Sequence, residues 1–397
     1  MSRWAGYMRV LSLGFPFRAL TRDLWLICLS NVIGAFGEGL YFWVFPLYIG
    51  QLHADYVQLG LVFSVLYGAS ALAPLPGGLL ADRFDRKKIL ILAWTPWVFA
   101  PLLYSFAQNW LQLIPGAVCW GISMIGVPAV NAYIITSVSD GRNLASVLSF
   151  VWASYSFSYI FAPTVGAFLA TIVGMRWVLR LAALLCAVAT IVFIFLRSQQ
   201  PRKHESTILN KPLVKGKQMW RQMLIWSGFY STVTFFATVA RPFVPAFLDN
   251  QVGLSEFQIG LFGSLSYAGM TFLGIAMGRY GDRRRKSTAI SLCLMLYLTS
   301  LVSMALIREP VTLMFMAFLY GSPMVMGSLV SSYVGAIAPE NRRGFWVSIP
   351  QTLSLLAAVA APYIGGYLYT QSVYYALIVS IIPMPLLALI AFTKLKE

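Results

Sequence analysis

Charge is what this chain has least of. Only 11% of its 397 residues are Asp, Glu, Lys or Arg, whereas 59% are hydrophobic and the mean hydropathy is +0.74. A soluble domain carries about a quarter charged residues, so a water-facing globule is excluded and a polytopic membrane protein is expected. Cysteine is scarce as well: Cys28, Cys119, Cys186 and Cys293 all lie inside apolar runs with no pairing or metal-ligand spacing. They read as small core hydrophobes. The only histidines, His53 and His204, stand alone in polar segments, so no metal site is expected. A G-x-x-x-x-G-K-[ST] phosphate loop is also missing, which removes ATP as the energy source of this chain. With no nucleophile–base pair either, the expectation is no enzyme and no cofactor, with an ion gradient as the drive. The first 22 residues hold four arginines and no apolar run long enough for a cleaved signal peptide.

What the chain has in abundance is long apolar runs. Twelve are distinguishable, at 23–49, 57–81, 89–107, 111–138, 145–173, 177–197, 222–249, 256–279, 287–307, 311–337, 345–369 and 373–393. Each reaches roughly the 20 residues that an α-helix needs to cross about 30 Å of hydrocarbon. Barrel strands are shorter and alternate, so the fold class expected is an all-α integral membrane protein with twelve transmembrane helices.

A net charge of +16 suggests nucleic acid until its location is read. With the amino terminus inside, 25 of the 29 Lys and Arg fall in cytoplasmic segments, the exceptions being Arg176, Arg180, Arg241 and Arg308. This is the positive-inside bias. The partners expected are therefore a small-molecule substrate and a bilayer with anionic headgroups, not nucleic acid, and the chain is expected to act as a monomer in the plasma membrane with both termini cytoplasmic.

The segment Ser198–Trp220 is the one long polar stretch, and it divides the chain into related halves. Gln58-Leu59-Gly60-Leu61 recurs as Gln258-Ile259-Gly260-Leu261. Tyr67 matches Tyr267, Arg142 matches Arg342, and Ala162-Pro163-Thr164-Val165-Gly166 recurs as Ala361-Pro362-Tyr363-Ile364-Gly365. Leu-rich helices match apolar residues by chance, but not Gln, Gly, Pro and Arg in register. The organisation expected is a cytoplasmic segment 1–22, a six-helix bundle 23–197, a basic linker 198–221, a second bundle 222–393 and a tail 394–397.

Two short charged turns carry a family resemblance. Gly78-Leu79-Leu80-Ala81-Asp82-Arg83-Phe84-Asp85-Arg86-Lys87-Lys88 lies between the second and third runs, and Gly278-Arg279-Tyr280-Gly281-Asp282-Arg283-Arg284-Arg285-Lys286 lies between the eighth and ninth. The first resembles the G-x-x-x-D-R-x-G-R-[RK] loop of the major facilitator superfamily, with Asp85 where the family usually has Gly. The resemblance implies two pseudo-twofold-related six-helix bundles and a conformational latch at the cytoplasmic face. In this sequence the latch comprises Gly78, Asp82, Arg83 and Arg86 with Arg142, echoed by Gly278, Asp282 and Arg283 with Arg342. The missing side chains of Gly78 and Gly278 are expected to let helices approach closely. Pro163 with Gly166, and Pro362 with Gly365 and Gly366, resemble the G-P-x-x-G-G motif of exporters in the superfamily, with Ala162 and Ala167 replacing two of its glycines. Helix bending is the use expected of them, with tight packing as the plainer alternative. The helix-4 arginine of those exporters is missing from Leu111–Ser137, whereas an acidic residue in the first helix resembles some multidrug/proton exchangers.

Glu38 and Arg241 are the charges clearly at mid-membrane depth. A charge there costs about 2.5–3.5 kcal/mol on insertion scales, so it faces a cavity or a partner. Ser227, Ser231, Thr234, Thr238 and Arg241 share one face of the seventh span, and Asn31 and Glu38 share one in the first, with Tyr41 close by. Tyr67 and Tyr267 place a hydroxyl at one depth in both halves. The expected cavity set is Glu38, Arg241, Asn31, Tyr41, Tyr67, Tyr267, Ser231, Thr234 and Thr238, with an Glu38–Arg241 ion pair left open. The function expected is secondary transport by alternating access, exporting amphipathic or aromatic small molecules against protons carried by Glu38. The alternative is an uptake carrier or facilitator for an organic anion bound by Arg241. A non-transporting receptor or scaffold is the remote reading, since no sensing domain accompanies the spans.

Overall fold

A computed structural model describes residues 20–138, 144–200, 216–339 and 343–395. Arg142, Arg342, most of the basic linker and the outermost residues of both termini lie outside the described residues. Twelve helices are long and apolar enough to cross a membrane: α1 Arg22–Phe42, α2 Tyr56–Arg83, α3 Arg86–Phe106, α4 Trp110–Ser137, α5 Ser146–Val173, α6 Met175–Phe195, α7 Lys217–Val252, α8 Glu256–Arg283, α9 Lys286–Leu306, α10 Pro310–Ile337, α11 Trp346–Gln371 and α12 Tyr375–Lys394. Among the described residues there is no strand. Length and apolarity set these limits, because backbone amides in hydrocarbon must bond within their own helix.

The two halves pack alike. α1 lies against α5 and α6, as α7 lies against α11 and α12, and across the middle α2 runs along α11 while α8 runs along α5. The repeated glutamine of the sequence has a local reason. Asp55 and Gln58 form a capping box at the start of α2, and Ser255 and Gln258 form its counterpart at the start of α8, so orphan amides at both helix starts are satisfied reciprocally.

Both central helices break at one height. After Phe42 the α1 helix turns through Trp43 and Val44 and resumes as Phe45–Gln51, where Pro46 fits the first turn. In α7 the helix ends at Ala240, and Arg241–Phe243 forms a tight turn containing Pro242. Proline there removes an amide donor and ends the regular ladder, and that break is what presents Arg241.

The halves meet at the end of the bundle that carries the 51–56 and 249–256 turns. A Cβ on Gly60 would stand 2.3 Å from the Pro362 carbonyl oxygen, and one on Gly260 2.6 Å from that of Pro163. Thr164 donates to Ser264 at 2.7 Å, Asn250 to the Tyr56 hydroxyl at 3.2 Å, and Gln51 to Glu256 at 3.5 Å. The contacts described between the halves run from these turns to the Tyr159–Tyr267 ring pair, 4.6 Å between centroids. Beyond that level α2 bends at Ala73, and its continuation Pro74–Arg83 no longer packs along α11. Among the described residues, the halves make their contacts at the turn end rather than at the basic end.

Pro163 and Pro362 sit inside helices that continue through them. The glycines that follow serve close packing: a Cβ on Gly166 would lie 1.7 Å from the Leu40 carbonyl oxygen, and one on Gly366 2.2 Å from that of Tyr56. Gly365 meets the Val239 carbonyl in the same manner. Tight contact, the plainer of the two uses expected, is what these glycines make in this conformation. Gly78 and Gly278 are a correction, since nothing lies within 4 Å of a Cβ built on either. They lie toward the basic end.

Candidate functional site

Glu38 is 2% exposed and is held from three other helices of its own half. Trp97 of α3 donates its indole N–H to Oε2 at 2.9 Å, Trp120 of α4 donates to Oε1 at 3.1 Å, and the Tyr155 hydroxyl of α5 donates to Oε2 at 3.3 Å. Local sequence makes this possible: Gly34, one turn before Glu38, leaves the room that the Trp97 ring fills. Phe42, one turn after it, stacks on Trp120 with ring centroids 5.6 Å apart. All three donors are neutral, so both carboxylate oxygens are satisfied with no cation present.

This geometry corrects one expectation and answers one question left open. Glu38 does not line an open cavity but sits behind Trp120 and Tyr155. It forms no ion pair with Arg241 either, and among the described residues the one salt bridge within 4 Å is Lys286–Asp282. Trp97 and Trp120 were not legible as partners, although the sequence held a signal. Tryptophan favours the membrane interface, and an indole at mid-span depth needs an acceptor, which Glu38 provides.

Arg241 lies on the C-terminal half and is half-buried. Its guanidinium reaches the Met324 thioether at 3.8 Å and the Tyr267 side chain, and Tyr67, Tyr320 and Tyr297 lie within electrostatic range of its charge. Of the two tyrosines expected at one depth, Tyr267 meets this cation directly, and Tyr67 of the other half lies within its electrostatic range. Between the two charged residues runs a line of hydroxyls. Tyr155 contacts both Glu38 and the Tyr159 hydroxyl, the latter at 3.3 Å, and the Tyr159 ring meets Tyr267, which borders Arg241. Glu38 and Arg241 are joined through tyrosines rather than directly.

The remaining cavity residues divide. Asn31 is buried and donates to the Val151 carbonyl at 3.0 Å, tying α1 to α5. Tyr41 is 1% exposed, with its ring among Phe42, Phe45 and Tyr104. Both belong to the interior of the first half, not to the space between halves. They share a side of α1 with Glu38 because that whole side is covered by α3, α5 and α6. On α7, Thr234 is partly exposed beside Tyr230, Ser231 has a buried hydroxyl with no partner, and Thr238 is buried.

The partners expected for the latch, Arg142 and Arg342, lie outside the described residues, so only its turn residues can be placed. Asp82 and Arg83 are exposed, with Arg86 the charge beside Asp82. Asp282 and Arg283 are exposed too, and Asp282 meets Lys286 at 3.6 Å. The buried carboxylate of the first turn is instead Asp85, the residue that departs from the family pattern. It caps α3 through the Lys87 amide at 2.9 Å and accepts from the Ser198 hydroxyl and, at 3.2 Å, from the Gln199 amide. Burial pushes a carboxyl upward, but these donors and the charge of Lys88 outweigh it and hold Asp85 below the ordinary aspartate range. Arg86 completes the knot by donating to Gln199 at 2.8 Å and to Thr136. This ties the start of the linker to α3 and α4 of its own half.

The family model described as Major Facilitator Superfamily matches residues 27–241 and 227–397. The chain is 21% identical over 366 residues to Multidrug resistance protein 2 of Bacillus subtilis (strain 168), covering 89% of this chain and 90% of that one. It is 25% identical over 342 residues to Multidrug resistance protein MdtG of Yersinia enterocolitica, covering 81% and 80%. The solved structure of the nucleoside transporter NupG is similar in fold, with a TM-score of 0.73 at 14% identity, over 94% of this chain and 98% of that one.

Proposed function

Because this chain belongs to the major facilitator superfamily of membrane transporters, we propose that it is a proton-coupled exporter of amphipathic, aromatic small molecules working by alternating access. It acts in the plasma membrane with its basic end and both termini in the cytoplasm. The relatives named multidrug resistance proteins support the export direction. The observation that carries the coupling is Glu38, a carboxylate buried among three neutral donors with no cation to neutralise it. A buried carboxylate of this kind changes charge by taking up a proton rather than by exchanging an ion-pair partner. The tyrosines at 155 and 159 give the proton a hydroxyl route between Glu38 and the space between the halves.

Proteoliposomes test the reading. With Glu38→Gln, transport driven by a pH gradient is expected to fall to the level of empty vesicles, while substrate binding and substrate–substrate exchange persist. A variant that still responds fully to the pH gradient removes Glu38 from the mechanism. The alternative, uptake or uncoupled passage, predicts accumulation in the opposite sense or equilibration without a gradient in the same vesicles.

A further inference from the structure

We infer that the substrate is an aromatic monoanion whose charged head is held by Arg241 in the space between the halves. The inference rests on the reading that this space receives the substrate, and it names the substrate's chemistry. A guanidinium offers five N–H donors and cannot give up its charge. At Arg241 the acceptors in reach are one thioether, Met324 at 3.8 Å, and the Tyr267 side chain, and a thioether is a weak acceptor. The one intramembrane carboxylate of the described residues, Glu38, is occupied by its own donors on the far side of Tyr155 and Tyr159. Arg241 is thus a cation in a low-dielectric setting without a counter-charge, which a bound anion supplies.

The ligand's charge and body follow from the same surroundings. A cation is repelled at this position, and a neutral molecule leaves the guanidinium unpaired. A dianion finds no second Lys, Arg or His among the described residues at this level, because Arg176, Arg180 and Arg308 belong to the turn end. A single compact oxyanion, accepting two parallel N–H bonds, is matched in charge and shape. Tyr267 touches the guanidinium and its ring packs on that of Tyr159 from the other half, 4.6 Å between centroids, so aromatic surface for an aromatic body lies beside the charge. An anion seated there touches both halves at once, which is the requirement for a ligand that biases their relative position.

An isosteric series on the purified full chain in lipid nanodiscs provides the test, with 1-naphthoate, its neutral analogue 1-naphthamide and the cation 1-naphthylmethylammonium as probes. The expected result is saturable binding of naphthoate, with the amide and the ammonium at least about ten-fold weaker. Arg241→Gln is expected to bring naphthoate down to the level of the amide, and Arg241→Lys to retain part of the preference. Amide or ammonium binding as tight as naphthoate, or undiminished naphthoate binding by Arg241→Gln, overturns the inference. Should Arg241→Gln not yield folded protein, the wild-type series and Arg241→Lys decide the question alone. Failure of the coupling reading looks different: pH-driven transport surviving in Glu38→Gln leaves the charge preference of the binding series untouched. Absence of binding by all three probes overturns the inference and leaves the coupling reading to the vesicle assay.

Discussion

At the scale of single residues, the chain solves one problem in two ways. A carboxylate and a guanidinium at mid-membrane are each costly to leave unsolvated, and the obvious remedy is to pair them. Here Glu38 is satisfied by Trp97, Trp120 and Tyr155 inside one half, and Arg241 is left facing tyrosines on the other. Keeping the charges apart is what the proposed roles require, Glu38 responding to a proton and Arg241 to a ligand. Asp85 shows the same economy outside the membrane. Its pKa is depressed in the folded protein, so its stabilising effect is complete above the unfolded value near about 3.9 and fades as pH falls through the lower folded value. Asp85→Asn is therefore expected to cost about 1.5–3 kcal/mol at pH 7 in a thermal melt. The difference from wild type is expected to vanish in acid, below the folded pKa of Asp85. An equal difference at all pH values would assign the effect to packing instead.

At the scale of elements, glycine and proline decide which helices touch. Gly366 carries no side chain because the Tyr56 carbonyl occupies that space across the seam between halves. Gly366→Val is expected to hold the seam open and slow transport by more than about ten-fold, measured as initial rates at matched protein density. Gly78 offers the contrast, since nothing lies within 4 Å of it in this conformation. A Gly78→Val variant is expected to melt within about 1 kcal/mol of wild type yet transport slowly, because the alternating-access cycle proposed above closes that end in its opposite conformation. Unaltered transport by Gly78→Val would mean that the turn sets topology and has no part in a latch. The paired capping boxes at Asp55 and Ser255 fix where α2 and α8 begin, so both seams start at the same height.

At the scale of the whole molecule, contact between the halves at the turn end is one position of two packed bundles. Cysteines replacing Gln51 and Glu256, whose longer side chains meet at 3.5 Å, are expected to be bridged by a short disulfide-containing bifunctional thiol reagent, which stops transport until reduced. Voltage gives a second whole-molecule readout. Export of one monoanion against entry of one proton moves two positive charges inward per cycle, whereas export of a neutral molecule moves one. Transport is accordingly expected to quicken when the vesicle or cell compartment facing the basic end is made negative, and to do so more steeply than one charge allows.

By itself the sequence determined the number of spans, their limits and the duplication. Span length answers to hydrocarbon thickness, and the repeated Gln58 and Gln258, Pro163 and Pro362 answer to local helix starts and close contacts, all of which are read along the chain. It also placed Glu38, Arg241, Tyr67 and Tyr267 at mid-membrane depth, because depth is counted from the span ends. Only the tertiary structure decided which way each side chain turns: that Trp97 and Trp120 hold Glu38, that Asn31 and Tyr41 lie in the interior of one half, that Asp85 rather than Asp82 is the buried carboxylate, and that Arg241 keeps no counter-charge. The physical reason is that partnership in a helical bundle depends on helix rotation and crossing, set by many small packing contacts at once, whereas crossing a bilayer depends on the composition of each span alone.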